Sequence, residues 1–479
     1  MGGRAARDPR QRVALKDVEK VWTHPALVVR RVRRLVVRLG GGRVLGLADA
    51  VQVAVRVIVV RLIPGGVVGV PSECCRRTEF AVSQSIEEHA GARIARIRKQ
   101  RGLTQQGLAM RAHVSKSLLS KVECGQKPAS PALVAACARA LGVSTSELLG
   151  QPYAEELRRD RMDALIQPIR EGLENWDIAL DWETVPRPAA LIRADVQRAL
   201  VQRRQAQYTD MVRDLPALIE ESVQAVHTST GEEQRLAYEC LAGTFRCVFT
   251  VAWNFGYIDL ATVALDRLAW TAPRADDPGL AAMHAYLRAQ TTMSSGRYDV
   301  GIRVIDRALR DLAGQDARRP AGVEAVRGVM QLRAAVIAGR MKDRDHADAR
   351  LAEARALARV TGELPDFGVT WGPTNVGVHA VAIAAEMDDF GRAIELAEDV
   401  RIPRGWTRSR AGHHWMDLGR AHAWSGHPEQ ALDCLHQARR IAPQQTRYHP
   451  TVRETVLALR RQERTRSNSL AQYAEWVGI

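Results

Sequence analysis

The chain has 479 residues, of which 46% are hydrophobic, more than one core ordinarily serves, so two or three structural units are expected. Its net charge of +15 is unevenly held: residues 1–81 carry 16 basic and 6 acidic side chains and residues 89–150 carry 10 and 2, while residues 151–479 are close to neutral. A small cationic unit beside a neutral body points to one module that meets a polyanion, and the seven scattered cysteines (Cys74, Cys75, Cys124, Cys137, Cys240, Cys247, Cys434) set aside a disulfide framework or paired zinc spacing in favour of a reducing cytoplasm.

Residues 1–81 alternate Arg and Val irregularly, as in VVRRVRRLVVRLGGGRV, without caps or a sustained helical period. Three readings are open: a basic arm for nucleic acid, an amphipathic membrane-surface segment, or translated upstream DNA. Composition favours the last, since only 7 of the 69 basic residues are Lys, as a GC-rich coding sequence would give, and Val82 opens a normal helix lead-in. This stretch is therefore expected to be disordered or no part of the native protein. Apolar stretches around Val28–Val60 are broken by Arg, and the uncharged run Phe367–Ala385 contains Pro373, Asn375 and His379, so neither a signal peptide nor a membrane span is expected.

Residues 82–150 read as short helices separated by tight turns. Ile94 and Ile97 give a first helix its buried stripe, and Gly102 ends it. Thr104 caps a second helix holding Leu108 and Ala109, His113 and Val114 form the turn, and Ser115 caps a third helix with Leu119 and Val122 inward. Val134, Cys137, Ala138 and Leu141 line a fourth, and Leu148 anchors a fifth. With Leu119 and Val122 buried, Lys116, Ser117, Ser120 and Lys121 point outward, cationic or hydrogen-bonding groups suited to a major groove.

This stretch resembles the lambda-repressor-like, or Xre-type, helix-turn-helix family along its whole length, which implies a bacterial regulator that binds double-stranded DNA. The resemblance puts Gln105 on a phosphate, makes Lys116 and Ser117 base readers beside Ser115 and Ser120, sets Leu118 against a thymine methyl, and brings Lys121 and Lys127 to backbone or base edges. It also pairs Arg98 with Glu123 across the first and third helices, while Lys99 and Arg101 are read as solvated. Two positions depart from the family: Gly107 stands where an acidic residue usually completes a capping box, and His113 where Gly usually makes the turn. Neither removes a DNA contact. The plainer reading, a helical bundle with no DNA, has to leave the basic excess and both caps unexplained.

Residues 151–235 read as a helical connector, mostly helical over Gln151–Trp182 with a kink at Pro168, then an elbow at Pro186 and Pro188. From 236 to 479 helix follows helix. In HHWMDLGRAHAWSGHPEQALDCLHQARRIAP, Gly419 and Ala431 are small enough for two antiparallel helices to approach, with Gly426 between them and Pro443 as the stop. This resembles the tetratricopeptide repeat, and weaker copies align on Ala261, Gly301, Ala347 and Ala393. The resemblance implies an α-solenoid, so the expected fold is all-α: a five-helix DNA-binding domain followed by a tetratricopeptide-like array whose end is capped by helices after Thr451.

Other chemistry is not indicated. There is no HExxH, GxSxG, Walker-type or dinucleotide motif, so no enzyme and no cofactor is expected. His413, His414, His422, His427 and His436 fall on different faces of a helix pair and are read as scaffold rather than metal ligands. Trp253, Trp270, Trp406, Trp415 and Trp424 are read as repeat core. The expected protein is a cytoplasmic transcription regulator, homodimeric, with a peptide, protein or small molecule as effector on its repeats. The competing expectation is an interaction scaffold whose helix-turn-helix no longer meets DNA.

Overall fold

The computed structural model describes residues 88–159, 161–178, 185–313, 320–364, 369–462 and 468–479. All of them belong to one unit, Ser83–Ile479. The readings made for residues 1–81 and for the lead-in at Val82 lie outside the described residues.

The described part is all-α, with no strand among its residues. Five helices come first: α1 (Ala90–Gln100), α2 (Gln105–Arg111), α3 (Lys116–Glu123), α4 (Pro131–Leu141) and α5 (Thr145–Leu149). Their boundaries follow local chemistry. Side-chain oxygens of Thr104, Ser115, Ser130 and Ser144 each accept the backbone N–H three residues on, and Pro131 opens α4 where its missing N–H costs nothing. Ile94, Leu108, Leu119, Cys137 and Leu148 are fully buried, forming a core of their own.

The next helices are α6 (Ala154–Arg159) and α7 (Asp163–Glu174). The stretch expected to run mostly as helix from Gln151 is thus split, with Arg161 in the left-handed region at φ 59° between the two helices. Pro168 lies inside α7. A hairpin of α8 (Ala189–Arg204) and α9 (Tyr208–Thr228) leads into α10 (Gly231–Phe255). Ile192, Val196, Leu215 and Ile219 belong to the same apolar cluster as Phe245 and Leu268, because α8 and α9 both pack on α10.

Successive helix hairpins follow: α10 with α11 (Ile258–Thr271), α12 (Pro278–Ser294) with α13 (Tyr298–Ala313), α14 (Pro320–Met341) with α15 (Arg344–Thr361), α16 (Pro373–Glu386) with α17 (Phe390–Glu398), and α18 (Arg408–Trp424) with α19 (Pro428–Ile441). First helices stack on first helices, α12 on α14, α14 on α16 and α16 on α18. Ala261, Ala347, Ala393 and Ala431 are each fully buried on the second helix of their hairpin, and Gly301 occupies the same place on α13. Gly419 comes so close to α19 that a Cβ there would lie 3.3 Å from the Ala431 carbonyl oxygen.

The short α20 (Pro443–Arg447) is followed by α21 (Pro450–Gln462) and α22 (Asn468–Val477). Helix α21 packs on α18, and Tyr473 of α22 donates to the Leu435 carbonyl at 2.9 Å, so the two cover the open end of the last hairpin. The five tryptophans expected in the core are each half-buried, with Trp253 and Trp415 packed against the apolar clusters. Trp371, outside that set, is 1% exposed and lies against α14, where a Cβ on Gly328 would sit 2.1 Å from its ring. Among the described residues no helix is long and apolar enough to cross a membrane.

Candidate nucleic-acid interface

Helix α3 is held to α1 and α2 by its inner face and leaves its outer face uncovered. Leu119 and Val122 are sealed in the core, so helical spacing turns Ser115, Lys116, Ser117 and Lys121 into solvent, with Leu118 and Ser120 half-buried at the edge of the same face. Ser115 Oγ accepts the Leu118 N–H at 3.1 Å and so starts the helix at Lys116. The tight turn before it needs a left-handed residue, which His113 supplies at φ 55°. The α2 cap works from one side only: Thr104 Oγ1 accepts the Gly107 N–H at 3.0 Å, and Gly107 has no carboxylate to return the bond.

What fixes the angle between α1 and α3 is a buried ion pair. Arg98 Nε and Nη2 donate to the two Glu123 oxygens at 2.7 and 2.8 Å, and Arg98 Nη1 donates to the Leu103 carbonyl at 2.8 Å. The hydrogen bond to Glu123 holds the guanidinium above its usual range against the opposing effect of burial. Gln105 Nε2 donates to Glu123 at 2.8 Å, so one of its amide hydrogens is committed inside the domain. Gly91, which sequence reading passed over, makes the close approach of α1 to α3 possible: a Cβ there would lie 1.9 Å from the Val122 carbonyl oxygen. Cys137 sits in the core, where burial pushes its thiol up to about 12.

Lys127 is exposed in the loop between α3 and α4, where its N–H donates to the Lys121 carbonyl at 3.2 Å, and borders a cavity between the five-helix domain and the hairpins. Contacts on two sides help dock that domain on the rest of the molecule. On one side Glu454 of α21 accepts from the Ala90 N–H at 2.9 Å and from Arg93 Nη2 at 3.3 Å, and on the other Arg139 Nη1 of α4 donates to the Ser295 carbonyl at 3.1 Å. Burial lifts the Glu454 carboxyl above its usual range, with Arg93 opposing. His89, whose ring accepts the Ala92 N–H, is held down to about 4 by burial and then by Arg461 and Arg93, so it is neutral at pH 7. The cavity itself had no sequence signal, since its walls come from helices spread between residues 203 and 461.

Among the described residues no group of three or more His, Cys, Asp or Glu side chains is placed to hold a metal ion. His413 packs edge-to-face on His449, His422 meets His427, and His436 contacts Ser469 and Tyr473, so the histidines expected as scaffold are dispersed.

Five short capped helices around one core, with a cationic third helix presented outward, define a helix-turn-helix domain, the architecture that lays its second motif helix in a major groove. The helix-turn-helix domain family matches residues 89–149, the stretch that these five helices occupy. No curated protein matches the chain.

Proposed function

We propose that this protein is a sequence-specific DNA-binding transcription regulator of the Xre type, working in the bacterial cytoplasm, with its tetratricopeptide-like hairpins serving as sensor and dimerisation domain. The observation that carries this reading is the outer face of α3: Lys116, Ser117 and Lys121 are solvent-exposed on a helix that its Ser115 cap and the Arg98–Glu123 pair hold rigidly. A backbone held in this way leaves only the side chains to be ordered on entering a groove. In this reading Lys116 and Ser117 read base edges, Leu118 meets a thymine methyl, and Gln105, Ser115, Ser120, Lys121 and Lys127 position the backbone. The protein is then a binder, with no reaction to catalyse.

A single helix-turn-helix reads few base pairs, so two copies on half-sites about 34 Å apart supply the affinity. The hairpin array is the part large enough to hold such a pair. The test is a binding-site selection with the full chain and with Lys116→Ala/Ser117→Ala. The wild type is expected to enrich a pseudo-palindrome, and the variant to lose that preference while keeping its helical circular dichroism, each base contact being worth about 1–3 kcal/mol. An unchanged selected site would refute the assignment of α3.

A further inference from the structure

The cavity beside the DNA-binding domain measures about 410 Å³, within the roughly 300–1,000 Å³ span of small-molecule sites. Its walls are the inward faces of α8, α10, α12, α14, α16 and α18, and its rim includes His89, Lys127, Val134 and Leu149 of the five-helix domain. Its charge is lopsided: nine Arg or Lys side chains line it against four carboxylates. Three of those four are engaged, Glu386 by Arg340 at 3.2 Å and Arg420 at 3.6 Å, Asp388 by Lys342 at 2.7 Å, and Glu454 by Arg93 at 3.3 Å.

The centre of the positive charge is Tyr286 of α12. Its hydroxyl oxygen accepts from Arg333 Nη2 of α14 at 2.6 Å and from Arg410 Nη2 of α18 at 3.2 Å, and the Arg333 guanidinium lies 4.3 Å above its ring. Arg333 also reaches Gln290 Oε1 at 3.3 Å. Among the described residues neither arginine forms an ion pair with a carboxylate, so two guanidiniums from different hairpins converge on one neutral oxygen in a half-enclosed space. Like charges gathered in this way repel, and the arrangement gains most from an anion that both can share. The field is visible in its neighbours: burial opposes ionisation of Tyr286, yet Arg333 and Arg410 bring its hydroxyl down to about 8. His379 is held down to about 3, by burial and then by Arg410. Beside this polar centre the wall is apolar, with Phe249 stacked on Trp253 at 5.6 Å and Met283 and Val336 close by.

We infer that this cavity binds a small organic anion, its carboxylate or phosphate clamped between Arg333 and Arg410 and its apolar or aromatic body laid against Phe249 and Trp253. The inference rests on the regulator reading only for the consequence of binding. Because the rim belongs to the DNA-binding domain, and that domain is pinned at Glu454 and at Ser295, an occupant that draws α14 and α18 together shifts the docking of α1 and α4, and with it the supply of DNA-competent molecules.

The test uses the full chain and two matched probes, 8-anilinonaphthalene-1-sulfonate and its uncharged counterpart N-phenyl-1-naphthylamine. One sulfonate probe per chain is expected, bound at least tenfold more tightly than the neutral one. Arg333→Gln/Arg410→Gln is expected to weaken the sulfonate probe at least tenfold and leave the neutral probe within twofold. If the double variant loses helical circular dichroism, the half-buried Arg410→Gln alone is read in its place. Competition by inorganic phosphate and by benzoate identifies the favoured anion as whichever displaces the probe at the lower concentration. Equal binding of the two probes, or an unmoved sulfonate affinity in the variant, overturns the anion site. Operator affinity, read separately by anisotropy, is expected to change when the probe saturates the site, and its failure to change overturns the sensing role while the site stands.

Discussion

Replacing Glu123 by Ala removes the acceptor for a guanidinium that is almost fully enclosed: the Arg98 side chain is 9% exposed and Glu123 4%. Three hydrogen bonds to Glu123 disappear, two from Arg98 and one from Gln105, and Arg98 keeps only the Leu103 carbonyl. Breaking a buried pair from one side costs about 3–5 kcal/mol because the remaining charge has no solvent to retreat to. A domain of this size is stable by only about 3–9 kcal/mol on its own, so much of its margin is lost. Residues 89–150 contain no Trp, Tyr or Phe, which makes fluorescence blind to them. Hydrogen exchange of the full chain, followed peptide by peptide, reads the opening of α1–α3 directly. Exchange there is expected to accelerate by at least 100-fold, 3 kcal/mol being just over two powers of ten, while α12–α19 stay unchanged. The neutral pair Arg98→Met/Glu123→Leu is expected to recover most of the protection, since apolar replacements of similar volume remove the desolvation penalty along with the attraction. Less than tenfold acceleration in Glu123→Ala would show that the pair does not hold α1 to α3, and the reasoning from its burial would fail.

Gly328→Ala places a methyl 2.1 Å from the Trp371 ring, so although Ala favours a helix by about 1 kcal/mol, overpacking of about 3 kcal/mol wins and the urea midpoint is expected to fall; an unchanged midpoint would show that the ring has room to move. Burial pushes the Asp417 carboxyl up to about 6 against the pull of Arg420, so the protonated form is favoured by folding, and this stability is complete below about pH 4 and lost as pH rises through 6. Asp417→Asn is therefore expected to melt higher than wild type at pH 7.5 and alike at pH 4, and a gain that is equal at both pH values would exclude titration as its source. Light scattering of the full chain at micromolar concentration is expected to give twice the 52.9 kDa of one chain, and a monomer would remove the hairpins from their proposed role in pairing two half-sites.

The helix-turn-helix domain was legible because its determinants are local. Capping hydroxyls sit three residues before the N–H they accept, the buried stripe returns every three to four residues, and the turn and its left-handed residue are neighbours in the chain. Ile94, Leu108, Leu119, Cys137 and Leu148 could be placed by spacing alone, and the outward set on α3 followed as the complement of Leu119 and Val122. The small residues at Ala261, Gly301, Ala347, Ala393 and Ala431 likewise marked the second helix of each hairpin, since close helix packing admits nothing larger.

Tertiary structure alone decided what depends on side chains far apart in sequence. Gly91 against Val122 and Gly328 against Trp371 are contacts between helices whose crossing points no periodicity announces. Helices α8 and α9, read from sequence as a connector, bury their apolar stripes in the same core as the later hairpins, a choice of partner that composition does not encode. Tyr286, Arg333 and Arg410 lie 47 and 77 positions apart along the chain, each reading there as an ordinary polar residue on an amphipathic helix. Only the stacking of α12, α14 and α18 turns them toward one another, and charge acquires its meaning from that convergence, because electrostatic energy depends on separation in space and on exclusion of water, neither of which the order of residues contains.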